Sequence, residues 1–501
     1  MSLAKVYTCS LNGISTNLVT VEVHLSNGLP SLSIVGLPEA AVRESKDRVR
    51  AAIINSNFEF PQRRITINLA PADLPKDGGR YDLPIALGIL AASSQISDKQ
   101  LDQFEFHAEL ALNGELRAVK GVLPAALHTQ HSQRGLIIAN DNLAEANLAD
   151  DVNVFGAANL LQVCQFLNDE TQLSCEHKVT ESETEIDYPF DMNEIKGQKR
   201  AKRALEVAAA GQHNLLMIGP PGTGKTMLAS RLLTILPPMT QQQAIETAAI
   251  YSISEQSVVA QKWRTRPFRS PHHTASGIAL VGGGSKPKPG EISLAHHGVL
   301  FLDELTEFDR KVLDVLREPL ETGQITISRA ANQADFPARF QLVAAMNPCP
   351  QGYNCNGKDL CRCTPEQQLK YRSKISAPLL DRIDIHIEVP QVPRETLHNE
   401  THSDSSKLIR HRVLQAYNRQ MHRHGKINAS LSNKELESSC QLKTEEQRLM
   451  DQAMDKLKLS ARAYHRILKL ARTIADLEDT ADINSQHLSE AISYRSLDRL
   501  Q

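Results

Sequence analysis

The chain has 501 residues, 41% of them apolar, enough for roughly three domains with cores of their own, which excludes a peptide, a disordered tail or a disulfide-stapled module. Lys plus Arg number 56 against 58 Asp plus Glu, a net charge of -2, so the basic excess of a passive nucleic-acid binder is missing and any such contact is local. Eight cysteines are too few for a disulfide scaffold, and the N-terminal MSLAKVYTCSLNG has no apolar signal core, so the chain reads as a cytoplasmic protein.

Leu18 to Val35 alternates apolar and polar residues about Asn27-Gly28, which predicts a strand pair. Glu39 to about Asn57 is helical, and Arg64 to Leu69 alternates again. Leu83 to Ala92 reads as a buried helix, about half of what a bilayer span needs, and Gly135 to Ala139 as a buried strand. Residues 1–168 are thus a mixed α/β domain, and the acidic run at 169–190 a solvated linker. Across 191–392, short apolar runs at 214–218, 299–302, 341–346 and 385–389 alternate with helical or Gly/Pro-rich stretches, the rhythm of a mostly parallel sheet covered by helices. From 393 to 501 the strand signal fades. Ile409, Val413, Tyr417 and Met421, then Ile467, Leu470, Ala471 and Ile474, recur at helical spacing.

Gly219, Pro220, Pro221, Gly222, Thr223, Gly224, Lys225 and Thr226 fit the phosphate-loop pattern GxxxxGK[ST], after an apolar strand and before a helix. Glycines let backbone N–H groups wrap phosphates at a helix N-terminus, Lys225 neutralises the β and γ charges, and the Thr226 hydroxyl ligates Mg²⁺. Val299 to Leu302 supplies the second half, an apolar strand ending in Asp303 and Glu304. Asp303 is expected to hold Mg²⁺, mainly through water, and Glu304 to orient and deprotonate the attacking water. ATP and Mg²⁺ are the cofactors this pairing predicts.

RPFRSPHHTASGIALVGGGSKPKPGEISLAHHGVLFLDEL (Arg266 to Leu305), AAMNPCP (Ala344 to Pro350), LLDRIDI (Leu379 to Ile385) and SARAYHRILKLARTIADLE (Ser460 to Glu478) resemble the YifB family of magnesium-chelatase-like AAA+ ATPases. The likeness spans nearly the whole chain. It implies an α/β protein with a Lon-protease-like α+β N-terminal domain, an AAA+ P-loop NTPase core and a C-terminal helical lid. It also assigns roles: Asn347 as sensor 1, holding the lytic water; Arg382 as the finger offered to a neighbouring subunit; Arg462 as sensor 2. An arginine acting in trans implies a ring, by family expectation a homohexamer.

Gln324 to Ser328 and the following FPARF, Phe336 to Phe340, read as a β-hairpin that in similar helicase-type proteins projects toward the pore. GGGSKPK, Gly282 to Lys288, resembles the other pore insert. Lys286, Lys288, Arg329 and Arg339 are therefore candidates for tracking a DNA backbone, with ordinary surface charge the equal alternative. Between Ser405 and Lys434 lie seven Lys or Arg and no acid, a DNA-binding face or a solvated helix. Cys349, Cys355, Cys361 and Cys363, spaced C-x5-C-x5-C-x-C, suggest a structural Zn²⁺, with free thiols the alternative. Where Lon proteases carry PKDGPSAG this chain has PKDGGRYD, putting Arg80 in the place of the nucleophilic Ser while Lys120 matches the partner Lys, so proteolysis is not expected. Arg43, Lys46, Arg48, Arg50, Arg63, Arg64 and Arg80 offer a DNA platform or simple surface charge.

The expectation is an ATP-driven hexameric DNA motor, a branch-migration helicase extending heteroduplex in homologous recombination during natural transformation. Its expected partners are single-stranded and branched DNA and the recombinase machinery, with no membrane. The rivals are the motor subunit of a metal chelatase, weakened by the absence of a DxSxS metal-adhesion motif, and an ATP-dependent protease.

Overall fold

Alternating burial builds the first sheet of the computed structural model, which describes residues 3–175, 188–254, 263–284, 287–328, 333–352, 363–393, 395–396, 404–457 and 459–495. The chain forms two units, 1–184 with 241–263 and 185–240 with 264–501. In the first, strands β1 (Leu3–Asn12), β2 (Ser15–Ser26), β3 (Ser31–Val35), β4 (Arg64–Ala70), β5 (Phe104–His107), β6 (Gly135–Ala139) and β7 (Val154–Ala157) lie in the order β3-β4-β2-β1-β5-β6-β7. The strand pair expected about Asn27-Gly28 does not form. Instead β4 lies between β2 and β3, antiparallel to β2 and parallel to β3. Val19, Val21, Val23 and Leu25 of β2 and Ile65, Ile67 and Leu69 of β4 are buried, each worth roughly 1.5–3 kcal/mol, so these one-faced strands pair side by side. The short β3, with no buried residue, takes the edge.

Helix α1 (Ala40–Asn55) packs near α2 (Asp82–Ala92), in which every residue is buried as the apolar run predicts. Helices α3 (Val122–Ser132) and α4 (Leu160–Leu167) complete the described long helices of the N-terminal stretch. A further helix, Gln241–Ile253, joins this unit from far along the chain. Its Ala248 and Ala249, with Trp263, cluster with Val122, Leu123 and Ala126, and the Ser252 carbonyl accepts the Gly121 N–H at 3.0 Å. The platform arginines are partly consumed here: Arg48 Nε donates to the buried Asp82 at 2.8 Å, Arg80 Nη2 donates to the Lys120 carbonyl at 2.6 Å, and Arg50 lies over Phe60.

The second unit is built on five parallel strands, β8 (Leu215–Ile218), β9 (Phe268–Arg269), β10 (Val299–Leu302), β13 (Gln341–Met346) and β14 (Ile385–Glu388), in the order β9-β10-β13-β8-β14. The buried residues of β8, β10, β13 and β14 match the near-continuous apolar runs of the sequence, while the two-residue edge strand β9 is half-buried. A separate antiparallel hairpin, β11 (Gln324–Ser328) with β12 (Gln333–Pro337), precedes β13. Helix α5 (Lys199–Gly211) leads into β8, α6 (Lys225–Ile235) follows the phosphate loop, and α7 (Pro365–Arg372) opens on a Thr364–Gln367 capping box.

After β14 the described elements are helical: α8 (Ser406–His424), α9 (Asn433–Ser439), α10 (Thr444–Leu457), α11 (Ala461–Leu477) and α12 (Ser485–Ser493). Ile467, Leu470, Ala471 and Ile474 of α11 join Ile409 and Val413 of α8 in the core. The basic run on α8 is largely neutralised from other elements. Arg412 pairs with Glu206 and Asp404, Arg419 with Asp479, Arg423 with Asp476, and Lys426 with Glu435. Among the described residues no helix is long and apolar enough to cross a membrane. Most of the acidic stretch expected as a linker, 176–187, lies outside the described residues.

Candidate nucleotide site

Three neighbouring strands end at one place. β13 lies between β8 and β10, so the phosphate loop after β8, Asn347 after β13, and Asp303 and Glu304 after β10 face a common edge. Gly219 starts the loop where a Cβ would approach the Val389 carbonyl oxygen to 2.3 Å, and Gly224 caps α6 at φ 81°, a left-handed backbone that disfavours side chains. The eleven-residue α6 then points its N-terminus into the loop.

Lys225 is buried, and its Nζ donates to the Gly219 carbonyl at 2.7 Å, the Pro220 carbonyl at 3.0 Å and Asn347 Oδ1 at 3.2 Å. Burial pulls its pKa down while Asp303 and Glu304 oppose the shift. Thr223 Oγ1 closes the loop onto the Pro220 carbonyl at 2.9 Å. Thr226 Oγ1 donates to Asp303 Oδ2 at 2.6 Å, so a hydroxyl and a carboxylate, hard oxygen donors of the kind Mg²⁺ selects, already converge. The cradle of glycines, the ammonium and this donor pair fit a Mg²⁺-bound nucleotide phosphate.

Glu304 adopts φ 51° and its N–H donates to Asp303 Oδ1 at 2.9 Å. Its carboxylate meets a residue that sequence reasoning missed: His273 Nδ1 lies 3.2 Å from Glu304 Oε2. The ring stacks near His272 and meets Phe308 edge-on, and the strand it follows is anchored by Arg269, which forks onto Glu291 at 2.6 and 2.7 Å. A cavity of about 480 Å³, lined by Gly197, Gln198, Pro390, Val392, Pro393 and Thr396 among others, was also not foreseen. Gln198 Nε2 ties it to the phosphate loop by donating to the Thr223 carbonyl at 2.8 Å.

Arg382 and Arg462 stand apart from this cluster. Arg382 is buried, donating to the Pro378 carbonyl at 2.6 Å and pairing with Glu321. Arg462, at the start of α11, is 67% exposed and 3.8 Å from Asp381. One turn on, Arg466 donates to the Arg382 carbonyl at 3.1 Å and pairs with buried Asp384, whose carboxyl is held well below the usual range: burial opposes this, and Arg466 and His213 outweigh it. Helix α11 thus grips the loop that carries Arg382. Lys288 and Arg339 are exposed, while Lys286 and Arg329 lie outside the described residues. Cys349 is buried and Cys363 half-buried, while Cys355 and Cys361 lie outside the described residues.

The model of "Magnesium chelatase, subunit ChlI" matches residues 191–397, and two further chelatase subunit models match 21–142 and 403–495. Competence protein ComM of Haemophilus influenzae is 54% identical over 505 residues, covering 100% of this chain and 99% of its own length. The chain belongs to the ComM/YifB family of magnesium-chelatase-like AAA+ ATPases. YifB of Salmonella typhimurium is 50% identical over 501 residues, covering 100% of this chain and 98% of its own. The 38 kDa magnesium-chelatase subunit of Cereibacter sphaeroides is 25% identical over only 177 residues, 32% of this chain and 53% of its own. The α/β core with its parallel sheet, and the phosphate loop joined to Asn347 and Asp303 at one sheet edge, agree with membership of the ComM/YifB family.

Proposed function

We propose that this protein is an ATP-driven DNA motor, a hexameric branch-migration helicase that extends heteroduplex in homologous recombination during natural transformation. The observation that carries this reading is the convergence of Lys225, Thr226, Asn347 and Asp303 in a chain that aligns end to end with a protein named for competence. Bound Mg²⁺-ATP supplies the phosphoryl bond whose cleavage drives movement. Lys225 and the loop N–H groups hold the phosphates, Thr226 and Asp303 hold the ion, and Asn347 and Glu304 position the water, with Glu304 accepting its proton. The cavity beside Gln198 takes the nucleotide base. Arg382 serves a neighbouring subunit once it leaves Glu321, Arg462 reads the nucleotide from the lid, and a Cys349–Cys363 zinc knuckle braces a subunit interface or the pore. Lys286, Lys288, Arg329 and Arg339 contact DNA.

A chelatase motor is the second reading, favoured by the three chelatase subunit models that the chain matches. Proteolysis is disfavoured because Arg80, buried and hydrogen-bonded to the Lys120 carbonyl, fills the place a serine nucleophile would need. A synthetic three-strand junction with ATP separates these readings. Strand exchange that disappears in Lys225→Ala and Glu304→Gln supports the motor; no DNA-stimulated hydrolysis together with casein cleavage sinks it.

A further inference from the structure

The first sheet contains a second chemical constellation, unconnected with nucleotide. Cys9 lies on β1 and Glu105 and His107 on β5, all three completely buried. The thiol, a carboxylate oxygen and an imidazole nitrogen lie within 4.8 Å of one another. Glu105 divides its oxygens between two environments. Oε1 accepts from Ser132 Oγ at 3.0 Å and Arg134 Nη1 at 3.4 Å, with His128 Nε2 at 3.9 Å. Oε2 has no hydrogen-bond partner, and neither does His107 Nε2, 3.9 Å away. The other ring nitrogen, Nδ1, lies 3.3 Å from Thr8 Oγ1, which sets the orientation of the ring.

Each buried polar atom left without a partner costs about 1–3 kcal/mol, and here two of them face one another beside a thiol. Their 3.9 Å separation is too long for a direct charge-assisted hydrogen bond, for which about 2.8 Å is usual. It is nearer the roughly 3.4 Å edge of a tetrahedron with metal bonds of about 2.0–2.1 Å. We propose that Cys9, Glu105 and His107 form a buried site for a thiophilic divalent metal ion, zinc by its donor set. Cys9 binds as the thiolate, Glu105 through Oε2 and His107 through Nε2, and one enclosed water fills the fourth position.

The position gives the site a purpose. β1 and β5 join the two halves of the seven-stranded sheet, yet only one ladder pair, Tyr7 with Glu105, links them. A metal bridging Cys9 to Glu105 and His107 staples that seam. The test counts metal in the full-length protein, purified with zinc supplied and dialysed, for wild type, Cys9→Ala and His107→Gln. Both variants keep the Cys349–Cys363 thiols, so any zinc there cancels. The expected result is a loss of about one zinc per chain in each variant, together with loss of a thiolate-to-cobalt charge-transfer band after cobalt exchange. Equal zinc in wild type and a variant overturns the proposal. If Cys9→Ala fails to fold by circular dichroism, the conservative His107→Gln decides by the same readout.

Discussion

His273 Nδ1 stands 3.2 Å from the carboxylate of Glu304, a residue held at φ 51° at the end of an otherwise apolar strand. A non-glycine residue in that region stores roughly 1–3 kcal/mol of strain, a cost that clusters at working sites. The contact holds the carboxylate to one side, and in its proposed role as base Glu304 must leave the imidazole to reach the attacking water. Both partners are partly exposed, so the contact is worth at most about 1 kcal/mol. His273→Ala is expected to raise basal ATP turnover by up to about fivefold, with KM for ATP unchanged. Steady-state hydrolysis at saturating Mg²⁺-ATP checks this, and a fall in turnover would show that His273 instead assists Glu304.

Lys225→Ala and Glu304→Gln should fail differently. Lys225 makes three hydrogen bonds within the loop region and fills the phosphate cradle, so its loss is expected to abolish nucleotide binding in a fluorescent-ATP titration. Glu304→Gln keeps the cradle, and with it binding, while turnover falls by about 10²–10⁴-fold. Equal loss of binding in both variants would remove Glu304 from the role of base.

Arg382 is sequestered by Glu321 and the Pro378 carbonyl within its own subunit. In its proposed role as a finger, Arg382 must leave these contacts before it can reach a neighbouring subunit. Arg382→Lys is expected to lower turnover by about 10³-fold with ATP affinity retained, because an ammonium lacks the planar fork. Glu321→Gln should leave turnover unchanged or raise it. Mixing Arg382→Ala with Lys225→Ala subunits should restore part of the activity, since each supplies what the other lacks. Near-normal hydrolysis by Arg382→Lys would contradict the assignment.

His386, fully buried on β14, has its pKa pushed down to about 3 by burial and then by Arg495. Its unfolded value is about 6.5, so the unfolded chain binds the proton first as pH falls. The stability it contributes is present above about pH 6.5 and drains away toward pH 3. Between pH 7 and pH 5 the loss is about 2 kcal/mol. Denaturant unfolding of wild type against His386→Leu at the two pH values should show that slope in wild type alone; identical slopes would refute it.

Features carried by a short window were legible in the sequence. The phosphate loop and the apolar strands before Asp303 and Asn347 each depend on local spacing and sit where that spacing put them. What escaped depends on distant partners. His273 becomes informative only when it meets Glu304, and the α8 arginines look like a bare basic face until Glu206, Asp476 and Asp479 arrive from other elements. The pairing of β4 with β2 is likewise decided by their matching buried faces rather than by the Asn27-Gly28 turn, which leaves β3 to the edge.

The helix Gln241–Ile253 belongs to the unit that begins at the N-terminus, although the phosphate loop is translated before it. Val122, Leu123 and Ala126 have their covering of Ala248, Ala249 and Trp263 only once the ribosome has passed residue 263. A chain halted at Thr184 presents that surface bare, inviting aggregation. The N-terminal unit is therefore not a bead that can be cut off or exchanged at its C-terminal linker. Its maturation waits until the phosphate loop has been made, which couples the appearance of one to the other in every newly made chain.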